Sequence, residues 1–100
     1  MQLTGKATRY LRSLGHDLQP VVHIGKEGAS KGVIAAISRA LLDHELIKVR
    51  LLLESPIGPR DAGDFISINA DAALVQILGR TLLLYRPHPE KPKIVLPVKG

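Results

Sequence analysis

Pro20-Val21-Val22-His23-Ile24-Gly25-Lys26-Glu27-Gly28 decides how this chain is read: an apolar run opened by proline enters a Gly-x-x-Gly turn that carries a lysine. Behind it, Ser30 stands where a helix N-cap belongs, and Val33, Ala36, Ile37, Ala40 and Leu41 recur at helical spacing. The pattern predicts a strand over 21–24, a tight turn, and a helix ending near His44. Glycines let a backbone bend sharply and approach a ligand, while a helix start offers unpaired N–H groups at the positive end of its dipole. Such a junction suits phosphate oxygens, and Lys26 and Lys31 add full cationic charge to it. The bland alternative is a strand-to-helix connection that needs glycine only for its backbone angles. Glu27 opposes an anion unless its carboxylate turns outward, and that is the orientation expected of it.

Working outward, Leu3, Ala7, Tyr10, Leu11 and Leu14 form a helical stripe over about 4–14, with Gly15 as its stop signal. Downstream, 46–53 reads as a strand with Ile47, Val49, Leu51 and Leu53 facing one way and Lys48 and Arg50 the other. Pro56, Gly58 and Pro59 break the chain, and Pro59 can open a third helix through Ala62, Phe65, Ile66 and Asn69. Gly63 and Ser67 weaken that helix. Two short strands, 74–78 and 81–86, flank Gly79-Arg80, a two-residue hairpin turn with Arg80 at its tip. Prolines 87, 89, 92 and 97 forbid regular structure in most of the tail, leaving Ile94-Val95-Leu96 as the piece able to dock on an apolar surface. The order α-β-α-β-α-β-β predicts an α/β fold, a four-stranded mixed sheet packed by helices. One domain is expected over 1–100, with a core of about 3–86 and an extended tail over 87–100.

Fourteen Lys and Arg against nine Asp and Glu give a formal charge of +5, which favours a polyanionic partner. The charge is uneven: eight basic and four acidic residues in 1–50, one and four in 51–79, five and one in 80–100. Folding the two ends together would gather one basic face, for which Arg9, Arg12, Lys48, Arg50, Arg80 and Arg86 are the available cations. Cysteine is absent, which excludes a disulfide framework, a thiolate nucleophile and a cysteine zinc site. No signal-peptide core and no apolar run of about 20 residues is present, so a soluble, cytoplasmic protein with no membrane contact is expected.

Four catalytic or binding patterns are weak. Gly28-Ala29-Ser30-Lys31-Gly32 matches a nucleophile elbow, but 100 residues leave no room for the larger sheet that would deliver a base and an acid. His16, His23, His44 and His88 lack the i, i+4 pairing of a helical metal site, and Asp43-His44-Glu45 are sequence neighbours that do not face one another. No catalytic residue, metal or cofactor is therefore expected. Tyr10, Phe65 and Tyr85 are too few for a stacked-base platform, which favours recognition of backbone and shape. Phe65 is expected in the core, and Tyr85 is the aromatic best placed for a base contact.

The opening stretch, then His44-Glu45-Leu46-Ile47-Lys48-Val49, then Leu78-Gly79-Arg80-Thr81-Leu82-Leu83-Leu84-Tyr85-Arg86-Pro87, occur in an order that resembles the CRM domain. That name stands for chloroplast RNA splicing and ribosome maturation, and the single-domain bacterial members are YhbY-type RNA-binding proteins. The resemblance, over about residues 3–97, implies a fold similar to the C-terminal domain of bacterial translation initiation factor three and a loop similar to that of KH domains. It also implies RNA as partner, in precursors of the large ribosomal subunit, with ribosomal proteins as further partners. On that basis Gly25, Lys26, Glu27 and Gly28 form the RNA-facing loop, with Lys31, Lys48 and Arg80 in the basic surface. Residues 54–73 depart from the acidic, alanine-rich helix expected there. The alternative to an RNA clamp is an adapter that docks proteins on the assembling ribosome through leucine-rich faces or the tail.

Overall fold

A computed structural model describes residues 2–97, so the last three positions of the expected tail lie outside the described residues. In chain order the elements are α1 (Gly5–Gly15), β1 (Pro20–Ile24), α2 (Lys31–His44), β2 (Leu46–Leu51), α3 (Pro59–Asn69), β3 (Ala73–Leu78) and β4 (Thr81–Tyr85). The sheet runs β1-β2-β4-β3, with β1 and β2 parallel and both other pairs antiparallel. A parallel pair needs a crossover, and α2 supplies it.

Each face of the sheet has its own core. On one, Ile37 and Leu41 of α2 and Ala62 and Ile66 of α3 cover Ile24, Ile47, Val49, Leu51, Leu82 and Leu84. On the other, Leu11 of α1 covers Leu46, Val75, Leu83 and Tyr85, joined by Leu3, Ile94 and Leu96. Covering both faces explains why β4 reads as an unbroken run, Leu82-Leu83-Leu84-Tyr85, and not as an alternation. The tail thus docks through Ile94 and Leu96 while Val95 points away.

Local chemistry sets the helix starts. The Thr4 hydroxyl accepts from the Ala7 N–H at 3.0 Å and the Ser30 hydroxyl from the Val33 N–H at 3.2 Å, while Pro59 opens α3. Gly63, a weakness for α3 in isolation, suits the packing: a Cβ there would stand 2.7 Å from Leu74 Cδ2, so that side chain would have to shift. Close approach of α3 to β3 outweighs the ~1 kcal/mol propensity cost of glycine within a helix.

Some apolar expectations fail: Tyr10 and Leu14 of the α1 stripe are each 40% exposed and Ala36 of the α2 stripe is exposed, since each stripe is wider than the face that meets the sheet. Phe65 is 46% exposed, because the face of α3 that packs on the sheet runs through Ala62, Gly63 and Ile66 and leaves Phe65 beside it. Leu53 lies beyond the end of β2 and is exposed, since the strand stops at Leu51.

Glu45 is a buried carboxylate that ties the tail to the sheet. It ends α2 at φ 64°, with its N–H donating to the Leu41 carbonyl. Its Oε2 accepts from the His88 N–H at 2.7 Å, and its Oε1 from the N–H groups of Lys93 and Ile94, both at 2.9 Å. Burial raises the Glu45 pKa, but these three backbone donors and the nearby His88 outweigh it and hold the carboxyl below its ordinary value. Burial and the same carboxylate push the Tyr85 hydroxyl up.

Candidate nucleic-acid interface

Because β1 and β2 are parallel, their C-terminal ends share one edge of the sheet, where the Leu52 N–H donates to the Ile24 carbonyl at 2.9 Å. The β3–β4 hairpin reaches the same edge, with the Leu51 N–H donating to the Arg80 carbonyl at 2.8 Å. The Gly25–Gly28 turn and the start of α2 stand there. Gly28 is buried at φ +63°, a conformation that disfavours other residues, and Pro56 backs it: a Cβ at Gly28 would lie 3.2 Å from Pro56 Cγ. From the sequence Pro56 reads only as a breaker, since a contact between a loop and a distant turn leaves no local signal.

The turn commits one of its amides. Gly28 N–H donates to the Gly25 carbonyl at 3.0 Å, so it is not available to a ligand, contrary to a clamp built from every loop amide. The N–H groups of Lys26, Glu27, Lys31 and Gly32 have no such partner among the described residues. Lys26, Glu27 and Lys31 are exposed, so two cations and one carboxylate flank those free donors. Ser30 spends its hydroxyl as a helix cap.

A second group of cations lies on the α1 side of the sheet. Arg9 and Arg12 are exposed, three residues apart and hence neighbours on the surface of α1. Lys48 is half-buried, its Nζ donating to the His16 carbonyl at 3.2 Å, and Arg50 is exposed two residues further along β2. Arg12 and Lys48 line one cavity of about 600 Å3, and Lys48 and Arg50 line another of about 260 Å3. The ion pairs among the described residues are Arg39–Asp43 and Arg60–Asp64, so none of these cations is neutralised by a carboxylate.

Two expected surface cations turn inward. Arg80 does sit at the hairpin tip, yet its Nε and one terminal nitrogen donate to the Leu51 and Leu52 carbonyls at 3.1 and 2.9 Å. These carbonyls lie at and beyond the end of β2, and the guanidinium satisfies them. Arg86 donates to the Ser38 hydroxyl, the Ser38 carbonyl and the Ala70 carbonyl, fastening α2 and the end of α3 to β4. Tyr85 is 2% exposed beneath α1 and the tail, which removes it as a base contact. Among the described residues, no group of three His, Cys, Asp or Glu is placed to hold a metal, and no helix is long and apolar enough to cross a membrane.

Comparison with known proteins places these features in a family. The CRS1/YhbY (CRM) domain model matches residues 3–86. Relatives include the Haemophilus influenzae protein named "RNA-binding protein", 41% identical over 97% of each chain. The Bacillus subtilis "Probable RNA-binding protein YqeI" is 38% identical, over 95% of this chain and 99% of its own. A Pseudomonas aeruginosa protein, "Probable RNA-binding protein PA4753", is 39% identical over 93% and 89%. The solution structure of the hypothetical protein SAV1595 from Staphylococcus aureus superposes with a TM-score of 0.81 at 38% identity, covering 96% of this chain and all of that one.

Proposed function

Because the chain belongs to the CRS1/YhbY (CRM) domain family, we propose that it is an RNA-binding protein that grips the sugar-phosphate backbone through the Gly25–Gly28 turn and the start of α2. The observation that carries this reading is the coincidence of N–H groups at Lys26, Glu27, Lys31 and Gly32 with the exposed ammonium groups of Lys26 and Lys31, all without a partner among the described residues. A phosphate needs donors that cost nothing to uncover and charge that is not already neutralised. Glu27 is tolerated as an exposed carboxylate that solvent screens. Arg9, Arg12, Lys48 and Arg50 extend the basic surface away from the loop, whereas Arg80 and Arg86 contribute chiefly to the fold.

The names of the relatives support RNA as the partner. The finer proposal is ribosomal RNA in precursors of the large subunit, with a role in assembly in the cytoplasm and no catalytic step. The test is fluorescence anisotropy with single-stranded RNA across a salt series. Each phosphate neutralised contributes about 0.7 to the logarithmic salt slope, so Lys26→Ala with Lys31→Ala should flatten it by about 1.4 and weaken binding. An unchanged slope and affinity would remove the loop from the interface. Crosslinking in cells, followed by sequencing of the attached RNA, decides whether the target is ribosomal.

An adapter role has one observation in its favour, an apolar groove of about 450 Å3 lined by Leu14, Leu18, Val21, Leu46 and Ile94 among others. Association with ribosomal proteins that survives ribonuclease treatment and ignores Lys26→Ala would favour that role.

A further inference from the structure

The sheet leaves part of its α1-side face uncovered, and what lies there is not only charge. The register aligns two rows across three strands: Arg50 opposite Thr81, itself opposite Leu78, and beside them Lys48 opposite Leu83, itself opposite Gln76. Strands stand about 4.8 Å apart, so each row carries a cation at one end and a neutral side chain about 10 Å away. All six residues line the 260 Å3 cavity. Lys48, His16, Gln76 and Leu78 also line the adjoining 600 Å3 cavity, which makes the two a continuous trough with Arg12 at its far end.

Three properties of this trough select a ligand. Arg12 and Arg50 are exposed and free of carboxylate partners, and Asp17 is the one acidic residue on the rim among the described residues, so the ligand is anionic. Leu78 is 68% exposed, a large apolar side chain beside those charges, so the ligand also has an apolar surface. The Gln76 amide and the Thr81 hydroxyl bond to no other group among the described residues, so donors and acceptors remain for a polar edge. Phosphate, flat apolar face and hydrogen-bonding edge occur together in a nucleotide.

We propose that this trough seats an unpaired nucleotide of the bound RNA, its phosphate on Arg50 and Lys48, its base against Leu78, and its edge within reach of Gln76 and Thr81. This rests on the RNA-binding reading and adds base contact to it, a contact that the scarcity of aromatic residues had argued against. The seat is at the loop's end of the sheet: Arg50 pairs with His23 in β1, two residues before Gly25. A strand leaving the loop therefore has a cationic track onto this face. A base is unstacked only in single-stranded segments, so the seat selects loops, bulges or ends over duplex.

The test uses the full chain and two labelled probes of equal length and charge, an RNA of ~10 nucleotides and the same ribose-phosphate chain without bases. The intact protein should prefer the base-bearing probe by about fivefold, the low end of what one base stacked on an aromatic ring contributes, supplied here by the Leu78 contact and the edge bonds together. Gln76→Ala with Leu78→Ala should erase that preference and leave binding to the abasic probe unchanged, and Arg50→Ala should weaken both. Equal affinity of the intact protein for the two probes, or a preference untouched by the Gln76 and Leu78 changes, overturns the seat. So does an acidic peptide that displaces RNA only while Arg50 and Leu78 are intact, since the trough would then belong to a protein. Lys26→Ala with Lys31→Ala tests the loop separately. If it lowers neither affinity while the base preference persists, the loop reading fails and the seat stands.

Discussion

Replacing Glu45 with glutamine tests the side chain that, with three long-range hydrogen bonds, holds the tail as Arg86 holds α2 and α3. Glu45 is 3% exposed and holds three backbone N–H groups of the tail, at 2.7, 2.9 and 2.9 Å, with no other side chain in the role among the described residues. Glutamine has the same shape but one acceptor oxygen. Kept toward Lys93 and Ile94, that oxygen retains two bonds and turns an NH2 group on the His88 N–H; reversed, it loses two. Hydrogen bonds to a charged group are worth about 1.5–3 kcal/mol and neutral ones about 0.5–1.5. Losing the charge from all three and one bond outright removes about 3.5–6 kcal/mol, and relief from burying a charge reduces the net cost to about 2–4 kcal/mol.

That loss need not appear wholly as global unfolding, because the tail can let go first. Release would free Ile94 and Leu96 from their places beside Leu11, Val75 and Tyr85, so the smaller of the two costs sets what is measured. Hydrogen exchange should show the Lys93 and Ile94 amides losing protection in Glu45→Gln, while those of β2 and β4 keep theirs unless the whole domain weakens. If the loss is global, a thermal midpoint lower by about 10–20 °C follows for a domain of this size. Because the folded-state pKa is depressed, the stabilisation is complete above the unfolded glutamate value of ~4.3 and disappears as pH falls through the lower, folded value. Tail amides of the native protein should accordingly begin to open as pH falls below the unfolded glutamate value, and Glu45→Gln should remove that dependence. Unchanged amide protection in Glu45→Gln at neutral pH, with an unchanged midpoint, would refute the latch.

Three further outcomes follow from single contacts. Gly63→Ala places a Cβ 2.7 Å from Leu74 Cδ2 and should cost about 1 kcal/mol net, overpacking exceeding the gain in helix propensity. In a Leu74→Ala background the same change should instead stabilise, and additivity in denaturant melts would show that the contact is irrelevant. Arg86→Ala strips donors from the Ser38 and Ala70 carbonyls and should lower stability by about 2–3 kcal/mol without altering RNA affinity, whereas a loss of affinity at unchanged stability would return Arg86 to the interface. Ser30→Asp keeps a capping oxygen but adds a negative charge beside the loop, so it should preserve the melting midpoint and weaken RNA binding; equal affinity would contradict a phosphate at the start of α2.

What could be read from the chain and what could not divides along a physical line. Strand and helix order, the Ser30 cap, the hairpin at Gly79-Arg80 and the docking of Ile94 and Leu96 depend on local periodicity, turn chemistry and the scarcity of apolar residues in the tail. The CRM resemblance added the order of three motifs, and the family match over 3–86 agrees with it. Gly63 misleads because its use is tertiary: a glycine that weakens a helix alone is what lets that helix approach Leu74. Phe65 misleads for the opposite reason, since hydrophobicity does not fix which side of a short helix carries its largest residue.

The cations show the same division at the site. Counting charges treats Lys26, Arg50, Arg80 and Arg86 alike, yet a guanidinium has several donors and a folding chain has carbonyls left over at strand and helix ends. Where such carbonyls come within reach, as at Leu51, Leu52, Ser38 and Ala70, the arginine satisfies them and its value to a ligand falls. Lys26, Lys31 and Arg50 stand beside donors or apolar surface instead, with no acceptor to occupy them among the described residues. A basic surface is therefore defined by cations that the fold has left unused, and that distinction requires the arrangement of carbonyls that only the folded chain supplies. The same logic gives the hairpin tip a role without RNA: Arg80→Ala should destabilise by about 1–2 kcal/mol, since it uncovers two carbonyls, and a loss of affinity exceeding that of Lys26→Ala would show that its remaining nitrogen still faces the ligand.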